Sequence, residues 1–184
     1  MSLTKTPICD FGKKADDFRL KSTENKILSL NELKGEKGTL IMFICNHCPY
    51  VKAIIKDLVQ DCKSLEKFGI SSAAICSNDV KNYPEDSFEN MIAFSKENNF
   101  SFPYLHDETQ EVAKLYDAVC TPDFFAYNRN LELQYRGRIK QLKDLQPIDN
   151  GESELFKALK LISKTGKGPK EQHPSMGCNI KWIK

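Results

Sequence analysis

The two cysteines at positions 45 and 48 constrain the fold of this chain more than any other feature. They form a C-x-x-C pair directly after an apolar run at 39–44, which is typical of a buried strand. Apolar residues then recur at helical spacing from about 48 to 67. The two thiols are therefore expected to lie where a strand ends and a helix begins.

The position of the two thiols predicts how they react. Unpaired backbone N–H groups at the N-terminus of a helix favour the thiolate, which is the reactive form of cysteine. Pro49 fits the first turn, where its missing N–H would have had no partner. We expect Cys45 to be the more exposed, attacking sulfur and Cys48 to be the buried, resolving thiol. His47 either lowers the pKa of Cys45 or is an exposed residue without effect.

A C-x-x-C pair is also found as half of a zinc site, or by chance in a cysteine-rich chain. A zinc site needs two further ligands, usually a second C-x-x-C or a pair of histidines. His173 and Cys178 lie near the C-terminus without the spacing of metal ligands. The strand-to-helix placement favours a redox dithiol, and we expect neither a metal nor another cofactor.

The seven cysteines are odd in number and irregularly spaced, which argues against the disulfide framework of a secreted protein. Cys62 lies on the apolar face of the predicted helix, and Cys76 ends an apolar run. Both are expected to be core residues, since free cysteine behaves as a small hydrophobic side chain.

Composition excludes several classes of function. The 184 residues are 40% hydrophobic and 28% charged, as in an ordinary globular domain. The net charge of +2 is spread along the chain and gives no indication of nucleic-acid binding. No apolar stretch has the length of a membrane span, and the first residues lack the apolar core of a signal peptide. We expect a single domain over 1–184 in the cytoplasm, without nucleic-acid or membrane partners.

Periodicity and turn residues predict an α/β fold with a mixed sheet covered on both faces. Asp86 is expected to pair with Glu89 in capping the helix that begins near Pro84. The chain at 164–184 is rich in Lys, Gly and Pro and is expected to form an irregular tail. The other predicted elements are strands at 18–20, 27–30 and 70–76, a short helix after Asp107 with Val112, Leu115 and Tyr116 inward, a hairpin of 124–127 with 132–135, and a helix through Leu155, Leu159 and Ile162.

Thr121-Pro122 is a second signal, because a proline at a strand entrance is either a simple turn or a cis proline. The motif C-N-H-C-P-Y-V at 45–51 and the motif T-P-D-F-F at 121–125 together resemble a known family. It is the peroxiredoxin-like group of thioredoxin-fold proteins, in the alkyl hydroperoxide reductase/thiol-specific antioxidant (AhpC/TSA) branch. Further matching stretches lie at 15–20, 102–105, 135–139 and 174–182.

The resemblance implies a thioredoxin fold with a central mixed sheet, an N-terminal β-hairpin extension and an irregular C-terminal tail. It implies that Pro122 is a cis proline facing the dithiol, and that the backbone of Thr121 pairs with a substrate strand. The implied activity is thiol–disulfide oxidoreduction. The expected partners are protein or small-molecule thiols and disulfides, with an external reductant.

A thiol-dependent peroxidase is the alternative enzyme. The family's peroxidase signature, P-x-x-x-T-x-x-C, is missing before both Cys45 and Cys48. No recognisable group would then polarise the O–O bond of a hydroperoxide, unless Arg136 or Arg138 lies near. In such an enzyme Cys45 or Cys48 would be peroxidatic and Cys178 would resolve the oxidised sulfur.

Two cysteines keep open roles. Cys120 is either a third redox group or a packing residue, and Cys178 either folds back to the dithiol or is a bystander in the tail. A metal-binding carrier that uses Cys45, Cys48 and His47, or a redox sensor without turnover, are the further alternatives. The apolar run at 39–44 contains no carboxylate, so any proton transfer at the dithiol must use water, His47 or a group from elsewhere.

Overall fold

The central strand of the fold is β4 (Gly38–Phe43), which is buried along its whole length. In the computed structural model, which describes residues 2–184, β4 runs parallel to β5 (Ile70–Cys76) and antiparallel to β8 (Asp123–Asn128). The strands predicted from the apolar runs at 39–44 and 70–76 are therefore confirmed. A strand without exposed positions is expected where helices cover both faces of a sheet.

Four further strands complete a seven-stranded mixed sheet within the described residues. Its order is β3–β2–β6–β5–β4–β8–β9, in which only the neighbouring pairs β4–β5 and β5–β6 are parallel. The predicted hairpins are confirmed, since β2 pairs with β3 and β8 pairs with β9. The additional strands are β2 (Arg19–Ser22), β3 (Ile27–Ser29), β6 (Tyr104–His106) and β9 (Leu133–Tyr135).

Helices cover both faces of this sheet and create two apolar clusters. Leu40 and Met42 of β4 face the cluster that includes α2 and α5, whereas Ile41 and Phe43 face the opposite cluster. This alternation is the period of two that a strand imposes on its side chains. The helices are α1 (Leu30–Leu33), α2 (Pro49–Leu65), α3 (Phe88–Glu97), α4 (Glu111–Leu115) and α5 (Glu154–Thr165).

Two details of the predicted helices are wrong. Asp86 does not cap α3, because Ser87 is its N-cap and accepts a hydrogen bond from the Asn90 N–H. A 3-10 turn at Pro84–Asp86 instead directs the Asp86 side chain into the protein, where it is fully buried. Leu115, expected to face inward, is half exposed at the end of the short helix α4.

The C-terminal tail is irregular at 166–175, as expected, but it then joins a second sheet. Strand β12 (Met176–Asn179) lies between β1 (Leu3–Lys5) and β7 (Cys120–Thr121), antiparallel to both. Ile180 follows as a buried residue, and the Lys181 backbone N–H donates to the Asn78 side chain. The tail is therefore an integral part of the core. A short hairpin of β10 (Leu142–Lys143) and β11 (Gln146–Pro147) completes the strands of the described chain.

A buried ion pair connects β8 to the residue after β9. Asp123 is fully buried, and Arg136 donates to its carboxylate at 2.9 Å and 3.3 Å. Arg136 also lies over the Phe125 ring and donates to the Asp117 carbonyl. Burial raises the pKa of Asp123, although the arginine opposes that shift. The carboxylate therefore depends on its one charged partner.

We expect Arg136→Met to lower the free energy of unfolding by about 3–5 kcal/mol, because it leaves a buried carboxylate unpaired. The measurement is chemical denaturation of both proteins at neutral pH. Arg129→Met is the matched control, since Arg129 is exposed in the turn between β8 and β9 and should cost less than about 0.5 kcal/mol. Equal effects of the two changes would show that the ion pair does not stabilise the fold.

Candidate active site

The two cysteines of the motif lie in the connection between β4 and α2. Cys48 is the N-cap of α2 and Pro49 is its first residue, as the sequence predicted. The Cys45 and Cys48 side chains are within hydrogen-bonding contact of each other. Thr121 of β7 touches both sulfurs, with its Oγ1 3.3 Å from Cys45 Sγ and its carbonyl oxygen 3.1 Å from Cys48 Sγ. Three elements therefore converge on one dithiol.

The predicted difference in exposure between the two cysteines is wrong. Cys45 is 1% exposed and Cys48 is 0% exposed. The sequence indicated that Cys45 lies outside the helix, which it does, but neighbouring segments cover it. Thr121 lies on one side of the pair and the turn containing Asp86 lies on the other.

The negative charge of the dithiol is favoured on Cys48. The hydrogen bond from Cys45 lowers the pKa of Cys48 to about 5, with help from the backbone N–H groups of Cys178 and Val51, while burial opposes the shift. The same sulfur–sulfur hydrogen bond raises the pKa of Cys45, together with burial and the charge of Asp86. The two pKa shifts have opposite directions, so a negative charge on the pair is favoured on Cys48 and disfavoured on Cys45. This direction differs from the expectation that Cys45 is the attacking sulfur, and its largest cause is the hydrogen bond between the two sulfurs.

His47 is tied to Asp86, the residue that the sequence analysis assigned to a helix cap. His47 Nδ1 lies 2.7 Å from Asp86 Oδ2 and 4.0 Å from Cys45 Sγ. Since an ionised carboxylate only accepts, Nδ1 carries the proton of this hydrogen bond. The bond to Asp86 raises the pKa of His47, so the exposed, inert alternative for this residue does not apply.

Asp86 is held as a buried carboxylate by four donors. Besides His47 Nδ1, it accepts from the backbone N–H groups of Asn46 and His47 and from the Asn78 amide at 2.8 Å. Burial alone would raise its pKa, but these hydrogen bonds outweigh burial and lower it. No local sequence pattern distinguishes Asp86 from a helix cap. The one indication was the absence of a carboxylate at 39–44, which required an acid from elsewhere.

Thr121 and Pro122 occupy the predicted place, but the edge beside them is already paired. The peptide bond between them is cis. The resemblance implied that the Thr121 backbone is available to a substrate strand. In the structure β12 pairs with it, so that Thr121 lies opposite Cys178. The tail folds back onto the dithiol, as one of the two alternatives for Cys178 required, and the buried Ile180 anchors it. A redox role for Cys178 stays a prediction.

Of the remaining cysteines, Cys178 contacts the dithiol, whereas Cys120, Cys62 and Cys76 are buried packing residues. Cys178 is buried, and both its backbone N–H and its side chain hydrogen-bond to Cys48. Cys120 is fully buried, its thiol faces the Pro122 carbonyl at 3.6 Å, and burial raises its pKa. Cys62 and Cys76 are core residues, as predicted, and burial raises the pKa of each to about 12.

The two arginines considered for peroxide activation are engaged elsewhere. Arg136 pairs with Asp123, and Arg138 pairs with Glu154 at 2.8 Å. Within residues 2–184, neither arginine is a hydrogen-bond partner of Cys45 or Cys48. The Thr121 hydroxyl is the one side-chain O–H within hydrogen-bonding distance of Cys45 Sγ in that range.

Three groups of the site have the atom types of a metal centre. One ligand atom each from Cys45, His47 and Asp86 lies within 4.8 Å of the others. Thiolate, imidazole and carboxylate are ligands that Zn²⁺ accepts. The Asp86 carboxylate, however, already accepts four hydrogen bonds, one of them from the nitrogen that would bind the ion. His173 lies against Glu154 and is not part of this cluster. The donors that are present fit proton handling better than metal binding.

The fold and the dithiol define a thioredoxin-fold protein of the peroxiredoxin-like class. Residues 11–142 match the model of the AhpC/TSA family, so the chain belongs to that family. Family membership supports a thiol redox function. A search of curated proteins finds no match. Among the described residues, no helix combines the length and the apolar character needed to cross a membrane.

Solved structures agree with this assignment. An uncharacterized conserved protein from Geobacillus kaustophilus is 41% identical over 100% of this chain and 97% of its own, with a TM-score of 0.90. A hypothetical protein from Sinorhizobium meliloti 1021 is 34% identical over 99% of both chains, with a TM-score of 0.90. The thioredoxin domain of a thiol-disulfide oxidoreductase from Bacteroides vulgatus is 16% identical over 68% of this chain and 86% of its own, with a TM-score of 0.58, and shows the shared fold.

We expect the reduced protein to retain thiolate absorbance in the ultraviolet well below the ordinary thiol pKa of about 8.5. The lowered pKa of Cys48 is the reason. An acid titration of the absorbance measures it. Cys48→Ser should lose this low-pH signal, whereas Cys62→Ser, in the core, should keep it. Loss of the signal in Cys45→Ser alone, with retention in Cys48→Ser, would place the charge on the other sulfur.

Asp86→Asn should lower the pKa of His47, because the carboxylate is what raises it. Loss of a charged hydrogen-bond partner should also reduce stability by about 2 kcal/mol. His47 has a raised folded pKa, so its part of that stability is complete below the unfolded pKa of about 6.5 and declines as the pH rises through the folded value. NMR titration of the His47 ring and denaturation at several pH values measure both effects.

Asp79→Asn is the control, because Asp79 is buried nearby but bonds to Asn82 and Lys81 instead of His47. It should leave the pKa of His47 unchanged. If both changes shifted His47 equally, the hydrogen bond to Asp86 would not be the cause.

Proposed function

We propose that the protein is a thiol–disulfide oxidoreductase that uses Cys45 and Cys48 as its redox pair. The observation that carries the proposal is the contact between the two sulfurs at the N-terminus of α2, with a thiolate favoured on Cys48. A thiolate is the attacking species in disulfide exchange, and an adjacent thiol resolves the mixed disulfide. Redox homeostasis in a reducing compartment is the setting that we propose for it.

The reaction balances within the dithiol and its substrate. The Cys48 thiolate attacks one sulfur of a substrate disulfide, a new S–S bond forms, and the other substrate sulfur leaves as a thiolate. Cys45 then gives up its proton and attacks Cys48. The Cys45/Cys48 disulfide forms, and the second substrate sulfur leaves as a thiolate that takes up a proton. The protein has lost two electrons and the substrate has gained them. An external thiol reductant returns the pair to the dithiol.

Thr121 and His47 are positioned to assist the second step. The Thr121 hydroxyl lies 3.3 Å from Cys45 Sγ, and His47 Nδ1 lies 4.0 Å away. Both can stabilise negative charge as it develops on Cys45. Asp86 acts through His47 as a positioning residue, since it fixes the ring and keeps a proton on Nδ1. It supplies the carboxylate that the strand before the motif lacks.

A cavity near the dithiol, whose lining includes neither Cys45 nor Cys48, favours small anionic substrates. It encloses about 300 Å³ and is lined by Tyr50 and Pro122, which are neighbours of the two cysteines. Its lining includes Lys5, Arg138 and Lys140 and contains no Asp or Glu among the described residues. Arg138 and Lys140 have ion-pair partners, Glu154 and Asp57, that lie outside the lining. A disulfide with carboxylate groups is the substrate class that this surface suits.

The test is mixed-disulfide trapping with an anionic probe, oxidised glutathione. Cys45→Ser is combined with Cys178→Ser, because Cys178 also contacts Cys48. This double variant should accumulate a mixed disulfide at Cys48, whereas Cys48→Ser should not, and the wild type should reduce the probe with turnover when a thiol reductant is supplied. Mass spectrometry identifies the adduct. Cys62→Ser is the control and should behave as the wild type.

Other outcomes separate the competing functions. No adduct on either cysteine and no turnover would refute the oxidoreductase. Hydroperoxide consumption much faster than disulfide reduction would favour the peroxidase. Stoichiometric metal in the purified protein would favour the carrier. A cationic disulfide such as cystamine should react more slowly than glutathione disulfide, and the difference should shrink at high salt.

A further inference from the structure

Strand β12 occupies the position beside the dithiol at which the resemblance placed a substrate strand. Its Cys178 lies opposite Thr121 and its Asn179 lies opposite Cys120. Residues opposite each other in an antiparallel pair project their side chains to the same face. Because the Thr121 hydroxyl reaches Cys45 Sγ, the Cys178 side chain projects toward the dithiol as well.

Cys178 is in contact with the sulfur that carries the charge. Its backbone N–H and its side chain both hydrogen-bond to Cys48 Sγ, and both bonds lower the pKa of Cys48. Cys48 therefore has two thiol neighbours, Cys45 from its own loop and Cys178 from the C-terminal strand. Cys120, one residue before Thr121 on the same strand, is turned toward the Pro122 carbonyl instead.

The place of β12 is fixed by close contacts on every side. A Cβ atom on Gly177 would clash with the Thr121 carbonyl oxygen, so a glycine is required there. The Ser175 hydroxyl donates to the Pro122 carbonyl at 2.8 Å, and β1 pairs with the other edge of β12. The Lys181 backbone N–H donates to the Asn78 side-chain oxygen, and the Asn78 amide nitrogen donates to Asp86. Cys178 is thus held at the dithiol by the fold.

We infer that Cys178 is a third redox thiol, carried by a strand of the protein's own chain that takes the place of a substrate strand. This inference rests on the proposed redox role of Cys45 and Cys48. It also explains how a dithiol that is almost fully buried has a reaction partner at hand: the first partner is intramolecular.

The step is a disulfide exchange and needs no added oxidant once the pair is oxidised. The Cys178 thiolate attacks Cys48 in the Cys45/Cys48 disulfide. The Cys48–Cys178 bond forms, the Cys45–Cys48 bond breaks, and Cys45 leaves as a thiolate that takes up the proton lost by Cys178. No electrons are gained or lost overall. The C-terminal strand is then bonded to the N-terminus of α2, and Cys45 is free to receive a substrate sulfur.

Disulfide mapping of the full-length protein tests the inference. The reduced chain is treated with one molar equivalent of diamide, quenched by alkylation and mapped by mass spectrometry. Cys45→Ser should form the Cys48–Cys178 disulfide as its main product. The wild type should contain both Cys45–Cys48 and Cys48–Cys178, and Cys178→Ser should contain only the former. Cys120→Ser, the matched control from the same small sheet, should resemble the wild type.

The outcomes distinguish failure of this inference from failure of the proposed function. If Cys45→Ser forms no more Cys48–Cys178 disulfide than the background of unrelated pairs, while the wild type forms Cys45–Cys48, the third thiol is refuted and the dithiol stands. If Cys178→Ser forms no Cys45–Cys48 disulfide although circular dichroism shows it folded, the dithiol itself is refuted.

A second variant tests the strand and removes no thiol. Gly177→Ala places a methyl group against the Thr121 carbonyl and should displace β12. In the Cys45→Ser background it should reduce the yield of the Cys48–Cys178 disulfide several-fold. In a chain that retains Cys45 it should leave the Cys45–Cys48 disulfide intact. An unchanged Cys48–Cys178 yield would show that docking of β12 does not bring the thiols together.

Discussion

Stabilisation of one negative charge at the N-terminus of α2 is the interaction on which the site depends. Two buried thiols would ordinarily both stay protonated, because burial penalises the charged form. Here Cys48 is the N-cap residue of α2, and hydrogen bonds from the Cys45 thiol and from Cys178 lower its pKa. These donors outweigh burial. The resulting thiolate makes the buried dithiol reactive. Without it, the two thiols would only pack in the core.

The Asp86 carboxylate is a second buried charge of the site, and it too depends on hydrogen-bond donors. A carboxylate with no exposed surface is tolerable only when donors satisfy it, and four do so. The same donors include His47, so the ring is oriented and its Nδ1 proton is retained beside Cys45. The pKa of Cys45 is raised first by its hydrogen bond with Cys48 and by burial, and the Asp86 charge adds to that rise. One buried acid therefore orients the histidine and disfavours a negative charge on Cys45.

The C-terminal strand changes what the shared fold presents to a substrate. The edge beside Thr121 is paired with β12, and Gly177 allows the two backbones to approach closely. Recognition by adding a substrate strand to this edge would require β12 to leave. The cationic cavity lined by Tyr50 and Pro122 does not include either cysteine of the dithiol in its lining. The proposed preference for small disulfides rests on this cavity, and the proposed third thiol rests on the position of β12.

The strands and helices that depend on local sequence patterns could be predicted without the structure. The apolar run before Cys45, the helical period after Pro49 and the two hairpins follow from periodicity and turn residues, and the structure has them. The Thr121-Pro122 motif pointed correctly to a cis proline only through resemblance. What local patterns cannot contain is a contact between distant segments, and the site is made of such contacts.

Tertiary structure alone decided three things. It placed Asp86 against His47, although its local spacing is that of a helix cap. It paired β12 with Thr121, although the composition of the tail indicated irregular chain. It favoured the charge on Cys48, because the Cys45 thiol and Cys178 hydrogen-bond to that sulfur and exposure does not separate the two cysteines. Hydrogen bonds and burial depend on neighbours in space, and only the folded chain brings those neighbours together.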